Sequence, residues 1–154
     1  MNHGEVLQWY DEHGRALLAY ASALLRDPSA AEDVLQQVFL NVLRGRADIA
    51  GPPVAYLFRA VRNTALNHIR GQAREVELVD GGLWLESPDG SKETAMVLQS
   101  ALCTLPDEQR EVLVLRIWGQ LTFEEAATVI GVSPNTAASR YRYGLAKLKE
   151  IWHG

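Results

Sequence analysis

The chain has 154 residues, 47% of them apolar, which is enough to bury one ordinary core or two small ones. One cysteine, Cys103, rules out an internal disulfide framework or a cysteine-rich zinc site, and its place between Leu102 and Leu105 marks it as a small buried side chain. The net charge of −4 speaks against a nucleic-acid partner only until it is divided along the chain: residues 75–93 hold six acids and one base, leaving 14 bases against 13 acids elsewhere.

No run approaches 18 consecutive apolar residues, and the first residues lack the basic-then-apolar pattern of an export signal. A soluble, cytoplasmic chain without membrane insertion is expected. Apolar periodicity predicts a first helix from about Glu5 to Leu25, stopping before Asp27-Pro28. A second begins at the capping box Ser29-x-x-Glu32 and ends near Gly45. Its core face is Ala31, Val34, Leu35, Val38, Phe39 and Val42. The opposite face carries Asp33, Gln36, Gln37 and Arg44, with Leu40 in their midst. A lone exposed leucine needs no explanation, whereas one ringed by hydrogen-bonding groups is what a docking surface looks like. The residues alone leave both readings open.

The loop 46–53, with Gly51-Pro52-Pro53, leads to a third helix that runs to about Arg70. Leu57, Phe58, Val61, Ala65 and Ile69 define its buried side, with His68 at the core edge. Tyr56, Arg59, Asn63, Asn67, Arg70 and Arg74 follow at steps of three or four and form a separate stripe. Cations for phosphate, amides for base edges and a ring for stacking suit a DNA strand, though an ordinary solvated face has similar make-up. Residues 54–74 contain no acid, and neither do residues 126–149. Such basic stretches are the footprint of phosphate binding that a whole-chain sum hides.

Residues 71–91 form an acidic, glycine-rich connector with one apolar patch, Leu83-Trp84-Leu85. Helices follow at about 92–103 and from Pro106 to Trp118, with Gly119 as the stop. Then comes a helix-turn-helix. Thr122 and Glu125 make a capping box, Gly131 ends that helix, and Ser133 caps the next with Pro134 at its first position. In this last helix Ala137, Tyr141, Leu145 and Leu148 share a face that must be buried. Thr136, Ser139, Arg140 and Tyr143 share another, whose short hydroxyls and arginine suit a DNA major groove. The fold class expected is all-α: two small helical domains, 1–74 and 94–154, joined by an acidic linker, 75–93, the C-terminal domain being the helix-turn-helix. His3, His13, His68 and His153 make no ligand spacing, and no phosphate loop or nucleophile motif occurs. Neither an enzyme, a metal site nor a cofactor is expected.

Together these segments resemble bacterial sigma factors of the extracytoplasmic-function group, over nearly the whole chain. Residues 31–40, AEDVLQQVFL, are similar to the family's A-E-D-x-x-Q-E-x-F segment. Residues 56–70, YLFRAVRNTALNHIR, resemble its W-L-x-x-I-A-x-N-x-x-x-D-x-x-R helix. Leu105-Pro106 with Arg110, Leu113, Leu115 and Gly119, followed by the helix-turn-helix, is similar to its C-terminal domain. The resemblance implies a sigma factor whose partners are core RNA polymerase (β′ clamp helices and β flap) and promoter DNA, with an anti-sigma factor allowed as a further partner. It implies docking on the clamp through Asp33, Gln36, Gln37 and Leu40, and −10 recognition through Tyr56, Arg59, Asn63, Asn67, Arg70 and Arg74. It implies −35 recognition through Asn135, Thr136, Ser139, Arg140, Arg142, Tyr143 and Lys147.

Tyr56 stands for the family's usual Trp, Asn67 for Asp and Gln37 for Glu, while Ala138, Tyr143 and Leu145 occupy places where the family often has Lys or Arg. The acidic connector reads either as a segment laid along the polymerase's basic RNA path or as a solvated tether with Trp84 packed on one domain. The alternative to a sigma factor is a free-standing helix-turn-helix regulator. It would need a dimerisation helix that the sequence does not supply, so a monomer is expected when the chain is free.

Overall fold

The computed structural model describes residues 3–45, 53–71, 82–87 and 89–153. Among these are seven helices and no strand: α1 (His3–Leu25), α2 (Pro28–Leu43), α3 (Pro53–Gly71), α4 (Lys92–Thr104), α5 (Asp107–Ile117), α6 (Phe123–Ile130) and α7 (Pro134–His153). The 46–52 loop, Arg74 and the acids Glu75, Glu77 and Asp80 lie outside the described residues.

Between α1 and α2 the backbone turns through Arg26, at φ 55°. The Asp27 carboxylate then accepts hydrogen bonds from the Ser29 and Ala30 amides at 3.1 and 3.4 Å. Asp27 is therefore the cap of α2, with Pro28 at its first position, and the expected Ser29–Glu32 box does not form. An aspartate in extended conformation just before a proline satisfies the free amides one step earlier than Ser29 could. α1, α2 and α3 pack on one another. Phe39 meets Tyr10 edge-on at 5.2 Å, and Tyr20 lies against Phe58 at 5.7 Å. Every expected core residue of α2 is buried, as are Leu57, Phe58, Val61 and Ala65 of α3. Ile69 is not. It is 42% exposed, because the last turn of α3, with Asn67, Arg70 and Gly71, extends past the packed surface. Cys103 is half-buried rather than buried.

In the second set the local signals fold as written. Thr122 and Glu125 exchange both capping bonds, at 2.9 and 3.1 Å. Gly131 takes the left-handed conformation at φ 85° that ends α6. Gly119 has a different role from the expected stop. The left-handed residue after α5 is Gln120, at φ 56°, while a Cβ on Gly119 would lie 2.6 Å from the Leu115 carbonyl oxygen and 3.2 Å from Phe58 Cζ. Glycine stands there chiefly because a Cβ would strike the Leu115 carbonyl of α5, and it would also crowd Phe58 of α3.

That approach is part of a larger junction. α1 packs on α5 and α3 on α6, so a single apolar core runs through both sets of helices. Arg110, only 3% exposed, donates from Nε to the Ala23 carbonyl at 3.1 Å and from Nη1 to the Leu105 carbonyl at 3.0 Å. Ala23 lies in the last turn of α1, where free carbonyls and the helix dipole favour a cation.

Candidate nucleic-acid interface

α7 is held from below and open above. Ala137, Gly144 and Leu148 are buried, and Gly144 leaves room for Gln109 and Leu113 of α5, each with an atom 3.1 Å from where a Cβ would stand. Arg116 lies over the Phe123 ring at 4.4 Å, and Phe123 meets Tyr141 edge-on at 5.4 Å. This stack fixes the angle between α6 and α7. Ser133 caps α7 by accepting from the Thr136 amide at 3.1 Å, and its hydroxyl bonds Thr136 Oγ1 at 2.9 Å.

On the outer side Asn135, Arg142 and Lys147 are exposed, Tyr143 is 66% exposed, and Thr136, Ser139 and Arg140 are half-buried. Arg142 Nη2 bonds Ser139 Oγ at 3.2 Å, which ties a cation to the hydroxyl row. All seven residues singled out on this helix thus lie on or beside one accessible surface.

On α3, Arg59, Asn63, Asn67 and Arg70 are exposed and Tyr56 is half-buried. Burial holds the Tyr56 phenol above its ordinary pKa, so it remains a neutral ring with a hydroxyl. Arg70 donates to Asn67 Oδ1, linking a cation to an amide within the stripe. Arg74 lies outside the described residues. One cation of the acid-free segment is diverted from this surface. Arg62 points to the junction, where its Nε meets Glu111 Oε1 at 2.5 Å. Burial acts to lower the Arg62 pKa, but the Glu111 hydrogen bond and charge leave it raised.

On α2, Asp33, Gln36 and Gln37 are exposed around Leu40, itself 42% exposed. Gln37 Nε2 bonds Asn41 Oδ1 at 3.1 Å, so this row is a semi-ordered polar frame about one apolar side chain.

Comparison with known proteins decides which family carries these surfaces. Residues 9–75 match the family model of sigma-70 region 2, and residues 95–148 that of sigma-70 region 4. The RNA polymerase sigma-E factor of Streptomyces avermitilis is 37% identical, over 97% of this chain and 88% of its own length. The chain belongs to the extracytoplasmic-function sigma factors of the sigma-70 family.

The ECF RNA polymerase sigma factor SigL of Mycobacterium tuberculosis is 29% identical to this sigma factor, over 91% of the chain and 84% of its own length. Among solved structures, the sigma factor RpoE of Bartonella quintana, crystallised with the anti-sigma factor NepR, aligns with a TM-score of 0.77 and 25% identity, covering 97% of each chain. CnrH, in complex with the cytosolic domain of CnrY, aligns with a TM-score of 0.69 and 27% identity, covering 99% of this chain and 90% of its own. Among the described residues no helix of the sigma factor is long and apolar enough to cross a membrane.

The described part of its connector is packed. Leu85 is buried, the Trp84 amide donates to Gln99 Oε1 at 2.8 Å, and Gln99 Nε2 returns a bond to the Gly82 carbonyl at 2.9 Å. Trp118 Nε1 donates to the Glu86 carbonyl at 2.6 Å. Asp89 accepts from Ser87, Ser91 and Thr94, and these bonds, led by the Ser87 hydroxyl, hold its carboxyl below the usual range. This acid thus helps build the start of α4. In residues 82–87 and 89–91 Trp84 is thus packed against the helices, as in the second sequence reading.

Sequence reasoning missed Tyr20 and Glu111, and it counted Arg62 within the acid-free segment 54–74 whose basic character was read as a phosphate-binding footprint. The available signal was Arg110-Glu111 standing directly before the apolar run Val112–Leu115, where charged side chains can be buried only if they are paired.

Proposed function

We propose that this sigma factor, which directs promoter-specific transcription initiation, works through the three surfaces its fold leaves exposed. Residues 1–74 dock on the β′ clamp helices of core RNA polymerase through Asp33, Gln36, Gln37 and Leu40, and capture the unpaired −10 strand on the stripe from Tyr56 to Arg74. Residues 94–154 engage the β flap and read the −35 duplex with α7, while residues 75–93 connect the two. The observation that carries this reading is the pairing of α3 with residues 134–149 of α7, two acid-free stretches, each with a completed apolar face and an outward row of cations and amides or hydroxyls. A free-standing regulator would need only the second, and family matches to both regions argue against it.

Extruding a −10 base from the stack costs a few kcal/mol, which stacking on Tyr56 and contacts from Asn63 and Asn67 offset. No catalysis, cofactor or nucleotide hydrolysis is part of the mechanism, and the site of action is the cytoplasm. Because the solved relative RpoE was crystallised with the anti-sigma factor NepR, an anti-sigma factor is the class of inhibitor to seek.

Arg140 is the test of the groove assignment. If its guanidinium makes a bidentate contact to a base edge, Arg140→Ala costs ~1–3 kcal/mol and relaxes preference at that base pair. Lys147→Ala weakens binding evenly across sequences. Selection of −35 duplexes from random sequence by the holoenzyme distinguishes them, and an unchanged preference in Arg140→Ala contradicts the assignment.

A further inference from the structure

The buried Glu111 carboxylate of α5 accepts both the Tyr20 hydroxyl and Arg62 Nε, so it is satisfied from within the chain. Three other carboxylates stand instead around an open cleft of about 550 Å³, a volume suited to a small organic ligand. The cleft lies between α1, the start of α3, the packed end of the connector and the turn from α5 into α6. It stays open because small residues line it. Ala16 and Ala19 share a side of α1 with Glu12 and Arg15, and Gly119 borders the same space.

Two tryptophans, Trp84 and Trp118, supply its large apolar surface. Both are held in place, Trp118 by its Nε1 bond to the Glu86 carbonyl at 2.6 Å and Trp84 by its amide bond to Gln99 at 2.8 Å. A ligand therefore meets walls that need little ordering. The charge around it is negative: Glu12, Glu86 and Glu125 face the one guanidinium of Arg15. Gln8 and the Thr122 amide bond to Glu12 and Glu125, but these donors are neutral and leave the charge in place. Even with His13 protonated, 3.7 Å from Glu12, one negative charge remains over. Arg15 meets Glu86 at 3.5 Å with both side chains mostly exposed, a pair that water screens and a ligand can part. At the rim, Gln120 holds the left-handed conformation, at φ 56°, that side chains other than glycine rarely take. The Leu121 amide bond to the Leu115 carbonyl at 3.1 Å and the Arg116 bond to the Leu121 carbonyl at 2.6 Å keep it there. Backbone strain of this sort gathers at ligand clamps.

We propose that this cleft binds an organic ammonium ion with an aromatic or branched apolar body. The cation sits among Glu12, Glu86 and Glu125, and the body lies against Trp84 and Trp118. Tryptophan rings attract cations through their electron-rich faces, and the carboxylates add charge attraction in a partly dry site. An anion of matching size, such as a nucleotide, meets the wrong charge. The site is separate from the α2, α3 and α7 surfaces, and the proposal does not rest on their assignment.

The experiment is heteronuclear NMR of the full chain, titrated with three probes that share a phenyl body: phenethylamine, phenethyl alcohol and phenylacetate. Phenethylamine should shift the indole N–H signals of Trp84 and Trp118 with a Kd of about 1 mM, and leave that of Trp9, which does not line the cleft. The alcohol should bind at least about tenfold more weakly, and phenylacetate not at all. The double variant Glu12→Gln, Glu125→Gln should bind phenethylamine no better than the alcohol. Glutamine can still complete the α6 capping box, so this variant should melt with the parent. No selective shift up to about 10 mM phenethylamine overturns the proposal, as does equal or tighter binding of phenylacetate. Undiminished binding of phenethylamine by the double variant overturns it too.

Discussion

Leu40→Asp is expected to abolish binding to core RNA polymerase while the isolated chain melts within a degree or two of the parent. The core face of α2 is complete without Leu40, since Ala31, Val34, Leu35, Val38, Phe39 and Val42 are all buried. Leu40 stands on the opposite side among Asp33, Gln36 and Gln37, so only a partner can bury it. At an interface centre the aspartate removes apolar contact and leaves a desolvated charge without a counter-ion, together several kcal/mol or at least about a hundredfold in affinity. On the free surface the same change stays within ~0.5 kcal/mol, about 1–2 °C for a chain of this size. Thermal melting beside a core-binding titration checks both halves. A large melting loss would move Leu40 into the core, and unchanged binding would leave it with no role.

The largest stability loss is expected at Phe58. Its ring is fully buried, packs on Tyr20 at 5.7 Å and fills the space that a side chain on Gly119 would need. Phe58→Ala removes contacts in α1 and at the turn after α5, and leaves a cavity at the junction of both halves. Truncations of this kind cost ~3–5 kcal/mol, or roughly 10 °C or more in Tm here. Urea unfolding measures it: the midpoint should fall with little change in slope. A loss below ~1 kcal/mol would mean that the junction does not form in solution.

How much of this was legible beforehand follows the range of the interactions. The Thr122–Glu125 box, the Gly131 stop and the Ser133–Pro134 start each involve residues within a few positions of one another, and each folds as written. The α2 start was misread because two caps competed within three residues, and Asp27 ahead of Pro28 won. Gly119 was recognised as a break in the helix, but nothing showed that a Cβ there would strike the Leu115 carbonyl four residues back and crowd Phe58, which lies far away in sequence. The three solvent surfaces could be located because a helical face needs only its own residues to define it. The Tyr20–Arg62–Glu111 contact could not, because its partners stand 91 and 49 residues apart and nothing in a single segment pairs them. For the same reason Arg62 looked like a phosphate ligand among its neighbours. Its partner on another helix decides otherwise.

The central claim is that this chain brings core polymerase to promoters. The most direct measurement is run-off transcription with purified core polymerase, on templates selected from random sequence by the chain–polymerase complex. Discrete transcripts that start at a fixed distance from a two-element motif, require both the chain and core polymerase, and disappear with Leu40→Asp are the predicted result. Selection of a motif by the chain alone, with no dependence of transcript start on its addition to core polymerase, would contradict it.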